Sequence, residues 1–129
     1  MKSYGYVSFV GPHFSPSKAK VETGLLFTEE HEIGDLGKLG KYKSKPYDFG
    51  AASIDFECDE TEFLVPYSML KTLKVHKETL KRLGAEEIQI FLNIAYKNQC
   101  NLEFAPNFMK IIAELNVPLL MTCYEDEAS

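Results

Sequence analysis

Ile88-Gln-Ile-Phe-Leu-Asn-Ile-Ala95 alternates Ile88, Ile90, Leu92 and Ile94 with Gln89, Phe91, Asn93 and Ala95. That period of two is the mark of a strand with one face in a core and the other only partly covered. Phe91 lies opposite the apolar side, so the second face carries a ring whose burial the pattern leaves open. Lys97-Asn98-Gln99 reads as a turn, and Cys100 to Phe104 as a strand pairing back in a hairpin.

Outward from this strand the elements follow from local signals. Pro106 opens a helix with an apolar stripe of Phe108, Ile111, Ile112 and Leu115 and with Asn116 as its C-cap. Pro118 to Tyr124 is a last apolar strand, ahead of an acidic tail at residues 125–129. Upstream, Pro66 begins a segment in which Leu64, Met69, Leu70, Leu73, Leu80 and Leu83 recur at helical spacing until Gly84 ends it, as one helix or two. Tyr47 to Glu57 is a strand with Ala52, Ile54, Phe56 and Cys58 toward the core, and Phe49, Ala51, Ser53, Asp55 and Glu57 away from it.

Tyr4 to Val10, aromatic and β-branched before Gly11-Pro12, is a first strand lying inside the sheet. Ser15-Pro16 supplies an N-cap and a proline at the first helical position, and Gly24 closes the helix of residues 16–23. Leu25 to Ile33 holds a second strand. Residues 34–46, with three glycines and with Lys38, Lys41, Lys43 and Lys45, read as an exposed, mobile loop. The order of strand, helix, two strands, helix, two strands, helix, strand predicts one α+β domain spanning residues 1–129. Its sheet is expected to be mostly antiparallel, with helices packed on one face in a ferredoxin-like arrangement.

Composition narrows the function. The chain has 129 residues, 45% of them hydrophobic, a net charge of −5 and a pI near 5.2. Nucleic-acid binding needs surplus Lys and Arg, so it is not expected, and basic partners are favoured. Residues 1–45 carry seven Lys against five acidic residues, and residues 46–129 carry seven basic against fourteen acidic. Cys58, Cys100 and Cys123 are odd in number and widely spaced, as buried thiols of a reducing compartment would be. With no secretion signal and no apolar run long enough for a membrane span, a cytoplasmic protein without membrane association is expected.

Catalytic and metal-binding patterns fail one by one. In Gly34 to Tyr42 the glycine of a phosphate-binding loop is replaced by Asp35 and its magnesium-holding hydroxyl by Tyr42. His13, His31 and His76 have no two-histidine ligand spacing, and the cysteines include no Cys-x-x-Cys pair. No metal, cofactor or enzymatic activity is therefore expected. Binding residues are easier to nominate. Asp55, Glu57 and Asp59 recur every second position and, with Glu60 and Glu62, form an acidic edge suited to a basic protein surface. Tyr42 and Tyr47, flanking the lysine-rich loop, are further contact candidates, since tyrosines often anchor interfaces.

Three segments resemble the bacterial domain-of-unknown-function 4279 family: Tyr4-Gly-Tyr-Val-Ser-Phe-Val-Gly11, Phe14-Ser-Pro-Ser-Lys-Ala-Lys-Val-Glu-Thr-Gly24, and Phe108 to Tyr124. The resemblance covers nearly the whole chain and rests on core residues and caps. It implies a compact α+β domain. Because some members occur near polymorphic-toxin loci, it also implies an immunity protein that neutralises a cognate toxin, such as a basic nuclease, by stoichiometric binding. The family's tryptophan in the strand after the loop has no counterpart here, where Phe49 or Ile54 takes its space. A small-molecule sensor or regulatory domain is the alternative, since helices on a sheet can leave a ligand cleft.

Overall fold

The computed structural model describes residues 2–58 and 64–126. In chain order the elements are β1 (Lys2–Gly11), α1 (Pro16–Thr23), β2 (Glu29–His31), a 3-10 turn (Gly40–Tyr42), β3 (Gly50–Cys58), α2 (Tyr67–Arg82), β4 (Glu87–Tyr96), α3 (Pro106–Leu115) and β5 (Leu119–Glu125). The five strands form one sheet in the order β2-β3-β1-β4-β5. It is a mixed sheet: β2 runs antiparallel to β3, and β5 runs parallel to β4. The fold is α+β, and its first four strands stand in an order compatible with the expected ferredoxin-like arrangement.

The helix ends are built as their residues dictate. The Ser15 side chain accepts a hydrogen bond from the Lys18 backbone N–H, Pro16 opens α1, and Gly24 closes it in the left-handed region at φ 74°. Residues 67–82 make one helix, and the chain leaves it through Gly84 at φ 106°, with the Ala85 N–H reaching the Leu80 carbonyl at 3.0 Å. Asn116 ends α3 at φ 53°.

Two expectations are corrected. Residues 100–104 form no strand, and only Lys97 and Gln99 bridge across the turn. The reason is competition: β4 already has β1 on one edge and β5 on the other, so no edge remains for a hairpin partner. Nor are all three thiols buried. Cys123 is exposed on β5, and Cys58 and Cys100 are half-buried.

Backbone contacts divide the chain into two compact units. The first comprises Met1–Val7, Asp55–Val75 and Gln89–Ser129, and the second Ser8–Ile54 and His76–Ile88. Within the first, Val7, Leu70, Leu73, Ile90, Leu92 and Ile94 are at most 1% exposed and form the core, closed by Phe56, Phe108 and Leu115. Within the second, Phe9, Phe14, Ala19, Ala52 and Leu80 are buried. Among the described residues no helix is long and apolar enough to cross a membrane.

Residues 34–46 are folded back on themselves. Leu36 bridges Pro46 and Gly37 bridges Lys43. The Gly34 N–H donates to the Tyr47 carbonyl at 2.8 Å, and the Tyr47 N–H to the Asp35 carbonyl at 2.8 Å.

Candidate functional site

In the first unit the strand alternation separates a core face from an open one. On β1 the residues Gly5 and Val7 point inward and Tyr4 and Tyr6 outward; on β4 Ile90, Leu92 and Ile94 are inward and Phe91 and Asn93 only half-buried. The parallel register sets Phe91 beside Leu120, Asn93 beside Thr122 and Ala95 beside Tyr124, so these β5 residues share the open face. Tyr4, Tyr6, Leu120 and Tyr124 are 37–43% exposed. A row of large rings left this open on a sheet face is unusual for a surface that meets only water.

The rings on this face are ordered against one another. Tyr6 stacks on Phe91 with centroids 4.8 Å apart, and the hydroxyls of Tyr4 and Tyr124 lie 2.8 Å apart. The hydrogen bond to Tyr4, followed by partial burial, holds the Tyr124 phenol above its ordinary ionisation range. Pre-ordered rings lose little rotamer freedom on binding, which favours them as anchors.

Gly5 makes the close strand approach possible. A Cβ there would stand 1.9 Å from the Phe91 carbonyl oxygen and 2.9 Å from the Phe56 ring, so only glycine fits between β1 and β4 at this point.

Asp55 and Glu57 are exposed on β3, on the side opposite the buried Ala52 and Phe56. The expected two-residue comb is therefore real where it is described, and it lies on the open face beside β1. Asp59, Glu60 and Glu62 lie outside the described residues. Tyr4, Tyr6, Leu120 and Tyr124 were not nominated from sequence, although Tyr4 and Tyr6 carry a signal: they occupy the strand phase opposite to Val7 and Phe9.

Tyr42 and Tyr47 belong to the second unit and are brought together there. Their centroids are 5.0 Å apart, and both pack edge-on to Phe49, at 5.6 and 5.5 Å. His31 stacks on Tyr47 at 3.6 Å. The Tyr42 hydroxyl donates to the Asp48 carboxylate at 2.8 Å, and this bond, with burial, raises the Tyr42 phenol above its ordinary range. These rings are half-buried and engaged with each other, and Phe49 is part of the same cluster.

Clefts among the described residues include two near these surfaces. One, of about 80 Å³, lies between α2 and α3 over Leu70, Ile111 and Leu115, with Lys71, Lys74 and Glu114 at its rim. The other, of about 240 Å³, is lined by Val10, Gly11, Pro12, Asp48, Phe49, Glu86 and Glu87. Among the described residues no three His, Cys, Asp or Glu side chains are grouped closely enough to hold a metal ion. Comparison of the chain with family models, with curated proteins and with solved structures finds no match.

Proposed function

We propose that this protein acts by binding another protein, a basic one, on the open sheet face formed by Tyr4, Tyr6, Asp55, Glu57, Phe91, Thr122 and Tyr124. The observation that carries the reading is the combination of ordered, exposed rings with two carboxylates on one face. Aromatic anchors supply contact area, and acidic residues on a chain of net charge −5 steer a basic partner onto them. In the most specific form of this proposal the protein is a bacterial, cytoplasmic immunity protein, and its partner is a toxin held inactive in a one-to-one complex. That form draws on the resemblance of the three quoted segments.

The alternative, a small-molecule sensor, draws support from the clefts. Their volumes are about 80 and 240 Å³, against the roughly 300 Å³ at which ligand pockets usually begin.

Capture from a lysate of the native host, with the purified captured protein then titrated back, tests the first reading. The expected partner is basic, binds one-to-one and loses its toxic or nuclease activity in the complex. A D55K/E57K/Y6A variant that keeps the native circular dichroism spectrum should bind at least about tenfold more weakly, equivalent to about 1.4 kcal/mol. Equal affinity for the variant rules this face out.

A further inference from the structure

We propose that the protein forms a symmetric homodimer by antiparallel pairing of β5 with β5 of a second copy, across a two-fold axis at Thr122. β5 is the terminal strand of the sheet beyond β4, so among the described residues no strand lies along its other edge. Two hydrogen bonds fix which backbone groups occupy that edge. The Ile90 N–H donates to the Pro118 carbonyl at 3.0 Å, and the Asp126 N–H donates to the Tyr96 carbonyl at 2.7 Å. Between these ends the parallel register advances one residue at a time without a bulge. Successive residues of a strand direct their N–H and C=O groups to opposite sides, so the even-numbered residues of β5 bond to β4. Leu119, Met121, Cys123 and Glu125 therefore turn theirs outward.

A bare edge invites pairing with another chain, and short length or charge discourages it. The other edge strand of the sheet, β2, has both guards: it is three residues long and two of them are glutamates. β5 has neither. It is seven residues long, contains no proline or lysine, and carries its one charge, Glu125, at its end. Thr122, Cys123, Tyr124 and Glu125 are all exposed.

The strand is also complementary to itself. In an antiparallel pair the residues that exchange hydrogen bonds stand opposite one another, so outward-facing residues must meet outward-facing residues. An axis at Thr122 sets Leu119 against Glu125 of the second copy and Met121 against Cys123 of the second copy, and every outward residue of both strands is paired. Moving the axis to Met121 or to Cys123 carries one of these residues past the end of the opposite strand, which spans Leu119–Glu125. At Thr122 no like charges face each other, because Glu125 lies opposite Leu119 and Asp126 opposite Pro118. On the open face Leu120 and Tyr124, each 39% exposed in the single chain, cover one another across the axis. Such a contact is isologous, so it consumes the edge and closes at two copies. It uses the strand edge and not the sheet face, and does not depend on the basic partner proposed above.

Sedimentation velocity of the full chain, from low micromolar to near-millimolar concentration, tests the proposal. A reversible monomer–dimer equilibrium with no larger species is expected. Thr122 is exposed in the single chain, so T122K and T122E should each keep the native circular dichroism spectrum. On the axis the two Cα atoms of residue 122 stand about 4.5 Å apart, and like charges there should raise the dimer dissociation constant at least about tenfold in either variant. Mixing the two variants should restore a dimer containing one of each. In a C58S/C100S/C123S background, T122C should oxidise to a disulfide-linked dimer, whereas L120C, which faces Tyr124 of the second copy, should not. A wild type that stays monomeric throughout, T122K dimerising as tightly as the wild type, or L120C cross-linking as fast as T122C overturns the proposal.

Discussion

The Tyr4 and Tyr124 hydroxyls, 2.8 Å apart, tie the first strand of the chain to the last. Because the native Tyr124 value is raised, the folded chain holds that phenolic proton more tightly than the unfolded one. Its contribution to stability is therefore complete below the ordinary 10.0 and is lost as pH climbs through the raised native value. Tyr42 behaves in the same direction through its bond to Asp48. Of the seven tyrosines, these two should ionise late in an ultraviolet titration. Tyr4→Phe should return Tyr124 toward 10.0, and Asp48→Asn should do so for Tyr42; titration curves unchanged by these variants would disprove the assignment. His31 offers a second residue-level test. Its Nδ1 is buried without a hydrogen-bond partner while its ring stacks on Tyr47. His31→Phe keeps the stacking and removes the orphaned nitrogen, so it should raise stability by about 1 kcal/mol, read from the denaturant midpoint.

At the level of elements, the junction of β1 and β4 is tightly constrained. Gly5→Ala places a methyl group against the Phe91 carbonyl and the Phe56 ring, and should cost about 1–3 kcal/mol while loosening the Tyr6–Phe91 stack. Leu92→Ala, in the core of the same strand, should cost about 2–5 kcal/mol. Urea unfolding measures both. The strand itself was legible because Ile88, Ile90, Leu92 and Ile94 set its phase without any tertiary information. The caps at Ser15, Gly24 and Asn116 were legible because each satisfies its own backbone. Residues 100–104 were misread for the opposite reason. Whether a segment pairs depends on which edges are still vacant, and that is fixed by β1 and β5, which are distant in sequence. The second strand, expected across residues 25–33, is only Glu29–His31, where it meets Ala51 to Ser53.

For the molecule as a whole, the net charge of −5 would make association with the proposed basic partner sensitive to salt. Raising ionic strength from about 0.01 to 0.15 M shortens the Debye length from about 30 to 8 Å and should slow the association rate much more than it changes dissociation. A stopped-flow series showing no salt effect on association would count against electrostatic steering. The open face was only half visible in the sequence. Asp55 and Glu57 were marked by their spacing and Phe91 by its strand phase, but placing Tyr124 beside Tyr4 requires the sheet order. That order also has a kinetic side. The central strand β1 is the first to be synthesised, and its neighbours β3 and β4 are made much later. Both pairings close long loops, so the chain should fold slowly for its size and emerge from the ribosome with its innermost strand unpaired, open to chaperones until β4 arrives.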